Sequence, residues 1–157
     1  MEFYGFRLLI LILLGFPLLG CTGMQEKSLT ITDTREITVY KSPTCGCCTA
    51  WEAHMSKAGF KVTSKATDNL TEIRKQYAVP EKMQSCHTAV IDGYVIEGHV
   101  PAGDVEKLLE TRPDVVGLAA PGMPAKSPGM QPEGEKPANY DVFSFDRQGN
   151  IKVFASY

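Results

Sequence analysis

ITVYKSPTCGCC, residues 37–48, is the stretch of sequence on which the fold depends. Its first four residues alternate in polarity and favour β structure, so they predict a strand. A Pro-containing turn ends this strand. From Cys47 or Cys48 to Ala58, apolar residues recur at helical spacing, and Gly59 suits the end of a helix. The cysteines are therefore predicted to lie at a strand-to-helix junction.

The segments that follow continue an alternation of strands and helices. We predict a strand at 60–66, a helix capped by Asp68 or Asn69 that runs to Tyr77 with Leu70, Ile73 and Tyr77 buried, a hairpin of 88–91 and 94–97 around Asp92-Gly93, and a helix at 101–110. The order β-α-β-α-β-β-α predicts the α/β class and a thioredoxin-like domain over residues 35–112.

Residues 113–157 have a different character. The segment 118–137 is rich in Pro and Gly and repeats Pro-Gly-Met, so it predicts a long loop without helix or strand. Residues 140–145 and 151–157 alternate and predict a second hairpin. We expect this hairpin to pack on the same domain, because an isolated hairpin is marginally stable in water.

The N-terminus resembles a bacterial lipoprotein signal. Arg7 precedes an apolar stretch, 8–19, that is too short to span a bilayer, and Leu-Leu-Gly-Cys21 resembles a lipobox. We expect residues 1–20 to be removed, Cys21 to be lipidated and 21–34 to act as a tether. The alternative is a plain secretory signal that leaves Cys21 as a free thiol. Because Thr22 replaces the aspartate of inner-membrane sorting, the resemblance favours the outer membrane.

Charge and compartment limit the functions that remain. The formal net charge is −2 and no basic cluster is present, so we expect no nucleic-acid partner. An exported chain meets an oxidising compartment, where unprotected thiols tend to form disulfides. Cysteines kept close together in such a compartment require a function.

Four cysteines, Cys45, Cys47, Cys48 and Cys86, carry the candidate chemistry. A helix N-terminus stabilises thiolates through its dipole and its unpaired N–H groups. In a thioredoxin-like fold the loop before the third strand lies against the first strand-to-helix turn, and Cys86 falls in that loop. We therefore expect four sulfurs to converge from two segments.

Such a donor set is soft, which favours Cu(I) or Zn(II) over Mg, Ca or Mn. Two methionines of the loop, Met123 and Met130, favour copper over zinc, since a thioether is a copper ligand. The sulfurs approach from diverging directions, because adjacent helical residues point about 100° apart. This divergence favours thiolate-bridged, multinuclear binding.

The chain resembles the CopG-type copper-resistance proteins, an exported thioredoxin-like family long filed as one of unknown function. The resemblance runs from about Glu36 to Tyr157 and rests on YKSPTCGCC at 40–48, SCHTAV at 85–90, GYVIEGHVPA at 93–102, and PGMP and SPGM at 121–124 and 127–130. It implies periplasmic copper handling, with copper bound by the four cysteines. A redox role between copper states would make the protein a copper oxidoreductase, and without turnover it is a binding protein. Copper-efflux or copper-oxidase components are the protein partners implied.

Further side chains have two readings each. His87 is either a copper ligand or a group that orients the cysteine loop. His99 either approaches the same end of the sheet or is an ordinary buried histidine. Met123 and Met130 either bind copper or anchor the loop, and His54 is expected to face solvent.

Two other functions compete with copper binding. A thiol–disulfide oxidoreductase would use Cys45 and Cys48, but two extra cysteines invite unproductive pairings and Cys86-His87 stands where thioredoxins usually carry a proline. A structural module would hold inert Cys45–Cys48 and Cys47–Cys86 disulfides, but structural disulfides generally join distant chain segments.

Overall fold

The structure, a computed structural model, describes residues 35–157. The strands are β1 (Glu36–Lys41), β2 (Lys61–Ala66), β3 (His87–Ile91), β4 (Tyr94–Gly98), β5 (Gly117–Ala120), β6 (Asp141–Phe145) and β7 (Ile151–Ser156). The helices are α1 (Gly46–Lys57), α2 (Leu70–Gln76) and α3 (Ala102–Thr111), with a short 3₁₀ turn at Glu81–Met83. The leader, Cys21 and the tether lie outside the described residues, so those expectations stay predictions.

One mixed sheet organises the described residues, with strand order β2-β1-β3-β4-β5-β6-β7. Strand β2 is parallel to β1, β3 is antiparallel to β1, and β4 is antiparallel to β3. The predicted α/β class is confirmed, and these four strands have the arrangement expected of the predicted thioredoxin-like layout. Asp92 and Gly93 both have positive φ, as the predicted two-residue hairpin turn requires.

The register of β1 against β3 positions the cysteines. Lys41, the last residue of β1, pairs with His87, the first residue of β3. Because the two strands are antiparallel, the C-terminal end of β1 lies beside the N-terminal end of β3, at the same end of the sheet. The turn that leads to Cys45 and the loop that carries Cys86 are therefore neighbours.

The C-terminal region differs from the prediction. Residues 118–137 were predicted as loop throughout, but Gly117–Ala120 form β5, which pairs in parallel with β4. Its small side chains lack the β-branched pattern by which a strand is recognised. They suit a fully buried site, because a Cβ on Gly117 would lie 1.8 Å from the Val95 carbonyl oxygen. Strand β5 then pairs with β6, so the second hairpin extends the main sheet.

Helix α1 packs on the sheet as its spacing predicted. Cys48, Trp51 and Met55 are fully buried, and Trp51 Nε1 donates to the Val100 carbonyl oxygen at 2.8 Å. The helix begins at Gly46, slightly earlier than predicted. Among the described residues, no helix has the length and apolar character needed to cross a membrane.

Helix α2 is held differently from the prediction. Asn69 caps it by accepting from the Glu72 N–H, as one of the two predicted alternatives. Its expected buried stripe of Leu70, Ile73 and Tyr77 is only partly buried. The reason is that Arg74 reaches from α2 to the buried Glu97 of β4, so an ion pair helps to dock this helix.

The Pro-Gly-Met loop packs closely on α1. Gly129 has φ +84°, and a Cβ there would lie 2.7 Å from Trp51 N and 2.8 Å from the Cys47 carbonyl oxygen. Lys57 of α1 also forms an ion pair with Glu133 of the loop. The loop therefore lies against the helix that carries the cysteines.

We predict that Gly129→Ala destabilises the protein more than Gly134→Ala. Both glycines have positive φ, but a Cβ on Gly134 would meet no atom within 4 Å. The two variants thus share the backbone penalty, and only Gly129→Ala forces the loop away from α1. We expect an extra loss of about 1–3 kcal/mol, measured by chemical denaturation. Equal losses would contradict the close packing.

A pH-dependent contribution to stability is expected from Asp104. This carboxyl is buried at the start of α3, and Tyr157 Oη donates to its Oδ2 at 2.9 Å. Burial raises the pKa of Asp104 above its ordinary value of 3.8. The folded state therefore binds the proton more tightly than the unfolded state, and the contribution is present at low pH and lost as pH rises through the folded pKa.

Asp104→Asn keeps an acceptor for Tyr157 and cannot ionise. We expect the difference in Tm between wild type and this variant to favour wild type more at about pH 4 than at about pH 7. Thermal unfolding at both pH values measures it. A difference that does not change with pH would show that Asp104 is not held in the proton-binding environment described.

Candidate metal centre

Three of the four candidate cysteines surround the N-terminus of α1. Cys45 is the N-cap residue and its side chain makes no capping hydrogen bond. Cys47 is half-buried, Cys48 is fully buried, and Gly46, between Cys45 and Cys47, has open space where a Cβ would lie. The sulfurs therefore occupy the end of the helix where thiolates are stabilised.

Cys45 and Cys48 are joined by a disulfide, with their Cα atoms 5.4 Å apart. Cys47 and Cys86 are free thiols. All four cysteines were predicted as metal ligands, and in this oxidised form two of them are bonded to each other. The Cys45–Cys48 pairing is the one that a Cys-x-x-Cys spacing allows, while the conceivable Cys47–Cys86 disulfide is not formed.

The structure brings the fourth cysteine to the other three. The sulfurs of Cys45, Cys47, Cys48 and Cys86 all lie within 4.8 Å of one another. Cys45 Sγ is 3.6 Å from Cys47 Sγ, and Cys48 Sγ is 3.8 Å from the Cys86 carbonyl oxygen. Two segments separated by a strand and a helix thus form one sulfur cluster, which consists of these four residues.

Two histidines extend the cluster beyond sulfur. Cys86 Sγ lies 3.0 Å from His99 Nε2 and 3.3 Å from His87 Nδ1. One nitrogen from each ring and Cys86 Sγ all lie within 4.8 Å of one another. Cys86 therefore belongs to two overlapping sets of donors. His87 and His99 were both candidates in the sequence, and both are placed beside Cys86.

His99 is held in a defined tautomer. Its Nδ1 lies 2.7 Å from the Pro128 carbonyl oxygen, which can only accept a hydrogen bond. Nδ1 therefore carries the proton, and the lone pair of Nε2 faces Cys86. Burial lowers the pKa of His99, which keeps the ring neutral, although the bond to Pro128 opposes that shift. Metal-binding histidines are commonly oriented by such a hydrogen bond.

His87 lies in a less polar environment. It is fully buried, and its ring is 4.4 Å from that of Trp51 and 5.2 Å from that of His99, centroid to centroid. Burial, with smaller effects from His99 and nearby cations, lowers its pKa to about 3. Its Nε2 has no hydrogen-bond partner among the described residues. His87 is thus a neutral ring with one nitrogen near sulfur.

The Cys86 thiol is protonated in this state. Burial, reinforced by the nearby Cys47, raises the pKa of Cys86 to about 12. A metal binds the thiolate, so metal binding at this sulfur must release a proton. The S–H group can meanwhile donate to His99 Nε2, which is the unprotonated nitrogen of that ring.

The remaining candidates lie as follows. Met123 is 44% exposed and Met130 is partly buried beside Gly129. His54 was expected to face solvent, but it is half-buried and its Nε2 accepts from the Ala102 N–H at 3.0 Å. The reason is that the start of α3 packs against α1 at this point. Cys21 lies outside the described residues.

Three contributors were not identified from the sequence. The Pro128 carbonyl oxygen orients His99, and no pattern in a sequence shows which backbone carbonyl will meet a histidine ring. Glu97 and its partner Arg74 bind the backbone next to Cys86. The signal for Glu97 was present, since it is a single acidic residue within an apolar strand that would otherwise be buried.

The chain is similar to one family model and to two solved structures. Residues 83–130 match the model of a family described as "Protein of unknown function, DUF411". No curated protein matches the chain. Two solved structures, "Copper resistance protein copG- Form 2" and "Copper resistance protein copG- Form 1", are each 45% identical to it with a TM-score of 0.72.

Both alignments cover 78% of this chain, and they cover 97% and 96% of the two solved chains. An identity of 45% over this coverage is well above what fold similarity alone requires. The chain therefore belongs to the CopG-type copper-resistance family.

Proposed function

We propose that this protein is an exported, lipid-anchored protein that binds Cu(I) through Cys45, Cys47, Cys48 and Cys86 and serves in copper tolerance. The observation that carries the proposal is the convergence of four sulfurs from two segments within 4.8 Å. The donor set contains no carboxylate, and soft thiolates select Cu(I) over hard cations. Names of the similar structures agree with this choice of metal.

The arrangement of donors favours more than one copper ion per chain. Four sulfurs and two histidine nitrogens form two overlapping groups that share Cys86. A thiolate can bridge two metal ions, and Cys86 lies where such a bridge would join the groups. His99 is oriented by Pro128 to offer Nε2, and His87 offers Nδ1. Zinc would be satisfied by four donors around one ion and leaves the histidines without a role.

Metal binding at the full cluster requires reduction of the disulfide. Opening the Cys45–Cys48 bond takes up two electrons from an external thiol reductant and two protons and yields two thiols, which lose their protons when they bind copper. In the reverse direction, two thiolates can transfer one electron each to two Cu(II) ions, giving two Cu(I) ions and the disulfide. Copper redox activity would therefore use the same two sulfurs, and copper is then both substrate and cargo.

Thiol–disulfide exchange is the second candidate, and the Cys45–Cys48 disulfide is the observation that favours it. Cys45 is the more exposed of the two sulfur-bearing residues and is the one that a partner thiol could attack. Cys47, 3.6 Å from Cys45, would compete with any substrate for that sulfur. The competing thiol makes copper binding the better fit.

We predict that reduced protein takes up more than one Cu(I) per chain, and that the disulfide form takes up less. Cys86→Ser should weaken Cu(I) binding at least about tenfold, since it removes the donor shared by both groups. Competition with a Cu(I) chelator under anaerobic conditions, combined with thiol titration, measures both effects.

Ser64→Ala is the control for that variant, because it removes an exposed hydroxyl on β2 and keeps all four sulfurs. It should bind Cu(I) like wild type. No copper retained by the reduced protein, together with reduction of insulin disulfides, would instead establish thiol–disulfide exchange. Unchanged affinity in Cys86→Ser would remove Cys86 from the site.

The proposed location rests on the N-terminal sequence, with the outer membrane favoured over the inner and the domain facing the periplasm. Copper-efflux or copper-oxidase components are the partners that fit this location.

We predict that Cys21→Ser abolishes lipid attachment and releases the protein from membranes. Radiolabelled fatty acid and membrane fractionation test this, and a Cys21→Ser protein that stays in the membrane fraction would exclude the anchor.

A further inference from the structure

A buried carboxylate with four donors stands beside the metal centre. Glu97 of β4 is completely buried, and its Oε1 accepts from Arg74 Nε at 3.1 Å, Arg74 Nη2 at 2.7 Å and Ser85 N at 2.7 Å. Its Oε2 accepts from Thr88 Oγ1 at 2.6 Å. The carboxylate thus contacts one residue before Cys86 and one after it, Ser85 and Thr88.

Arg74 binds the same peptide from the other direction. Its Nη2 donates to the Ser85 carbonyl oxygen at 2.5 Å while its guanidinium also binds Glu97. Both backbone polar groups of Ser85 are therefore satisfied by this one ion pair. Residues 84–86 belong to no helix or strand, so the ion pair supplies order that secondary structure does not provide.

The end of β4 is shaped to receive the same residue. Gly98 has φ +72°, and a Cβ there would lie 2.5 Å from Ser85 Oγ and 2.7 Å from the Ala120 carbonyl oxygen. Only glycine lets the loop approach so closely. The backbone of β4 and the side chain of Glu97 thus hold one residue, Ser85, which directly precedes the cysteine.

A buried ion pair is a weak source of net stability, since desolvation of the two charges offsets their attraction. Apolar side chains would dock α2 on the sheet at least as well. What an apolar pair cannot do is bind the N–H and the carbonyl oxygen of a loop residue in a fixed geometry. The geometry of this pair therefore points to placement of the loop.

We propose that Arg74 and Glu97 are positioning residues that fix Cys86 within reach of the cysteines of α1. The inference rests on the proposed function, because Cu(I) binding is the property through which the position of Cys86 is read. The pair itself touches no copper. Its contribution passes through the Ser85 peptide to the Cys86 sulfur.

The test is a double-mutant cycle on Cu(I) affinity. The variant Arg74→Met/Glu97→Leu removes both charges, so neither is left buried and unpaired. Its Cu(I) dissociation constant is measured by chelator competition with Cys86 present and again in a Cys86→Ser background. We expect the paired substitution to weaken binding about 10- to 100-fold when Cys86 is present and to have little effect when Cys86 is absent.

Arg74→Lys is a second variant for the case in which the double variant does not fold. It keeps the charge beside Glu97, but an ammonium cannot reproduce the fork that binds Glu97 and Ser85 together. We expect a smaller loss of affinity with the same dependence on Cys86. Leu108→Ala is the control, because it leaves a cavity in the core beneath α3. It should lower Tm without changing the Cu(I) affinity of the folded protein.

The outcomes separate this inference from the proposed function. Wild-type affinity in both Arg74 variants would overturn it, and so would equal losses with and without Cys86, because the pair would then act through the fold as a whole. In either case, weaker Cu(I) binding by the Cys86→Ser variant would still support the four-cysteine site. If Cys86→Ser itself binds like wild type, the site and the inference both fail.

Discussion

The pairing of β1 with β3 is the constraint on which the candidate metal centre depends. Lys41 stands opposite His87, so the turn after β1 and the loop before β3 leave the sheet at one edge. A slip of this register by one residue would turn His87 away from its present face. The alternating burial of β1 opposes such a slip, since Ile37 and Val39 belong to the core. The hydrophobic core thereby sets the spacing of the sulfurs.

Contacts from other segments then orient the donor side chains that the sheet brings together. The Pro128 carbonyl oxygen fixes the tautomer of His99, and Trp51 packs on His87. Both contacts come from parts of the chain outside the β1–β3 pair. The centre is therefore assembled from α1, the loop before β3, the end of β4 and the Pro-Gly-Met loop. Each segment supplies a donor or a group that orients one.

Local patterns revealed most of this arrangement, and long-range packing concealed the rest. Strand β1, the buried face of α1 and the Asp92-Gly93 turn follow from residue spacing, which acts over a few residues. Strand β5 was missed because its Leu-Ala-Ala segment is recognisable only against the neighbours that bury it. The approach of Cys86 to the other three cysteines was inferred from the layout. Which of the four cysteines form a disulfide was left open by the sequence. A disulfide depends on redox conditions as well as on geometry.

The contact between Pro128 and His99 has a consequence for biosynthesis. The four cysteines of the cluster, with His87 and His99, precede Pro128 in the chain, so a nascent polypeptide contains every donor before it contains the carbonyl oxygen that orients His99. His99 can therefore be held in the tautomer that offers Nε2 to Cys86 only after synthesis has passed Pro128.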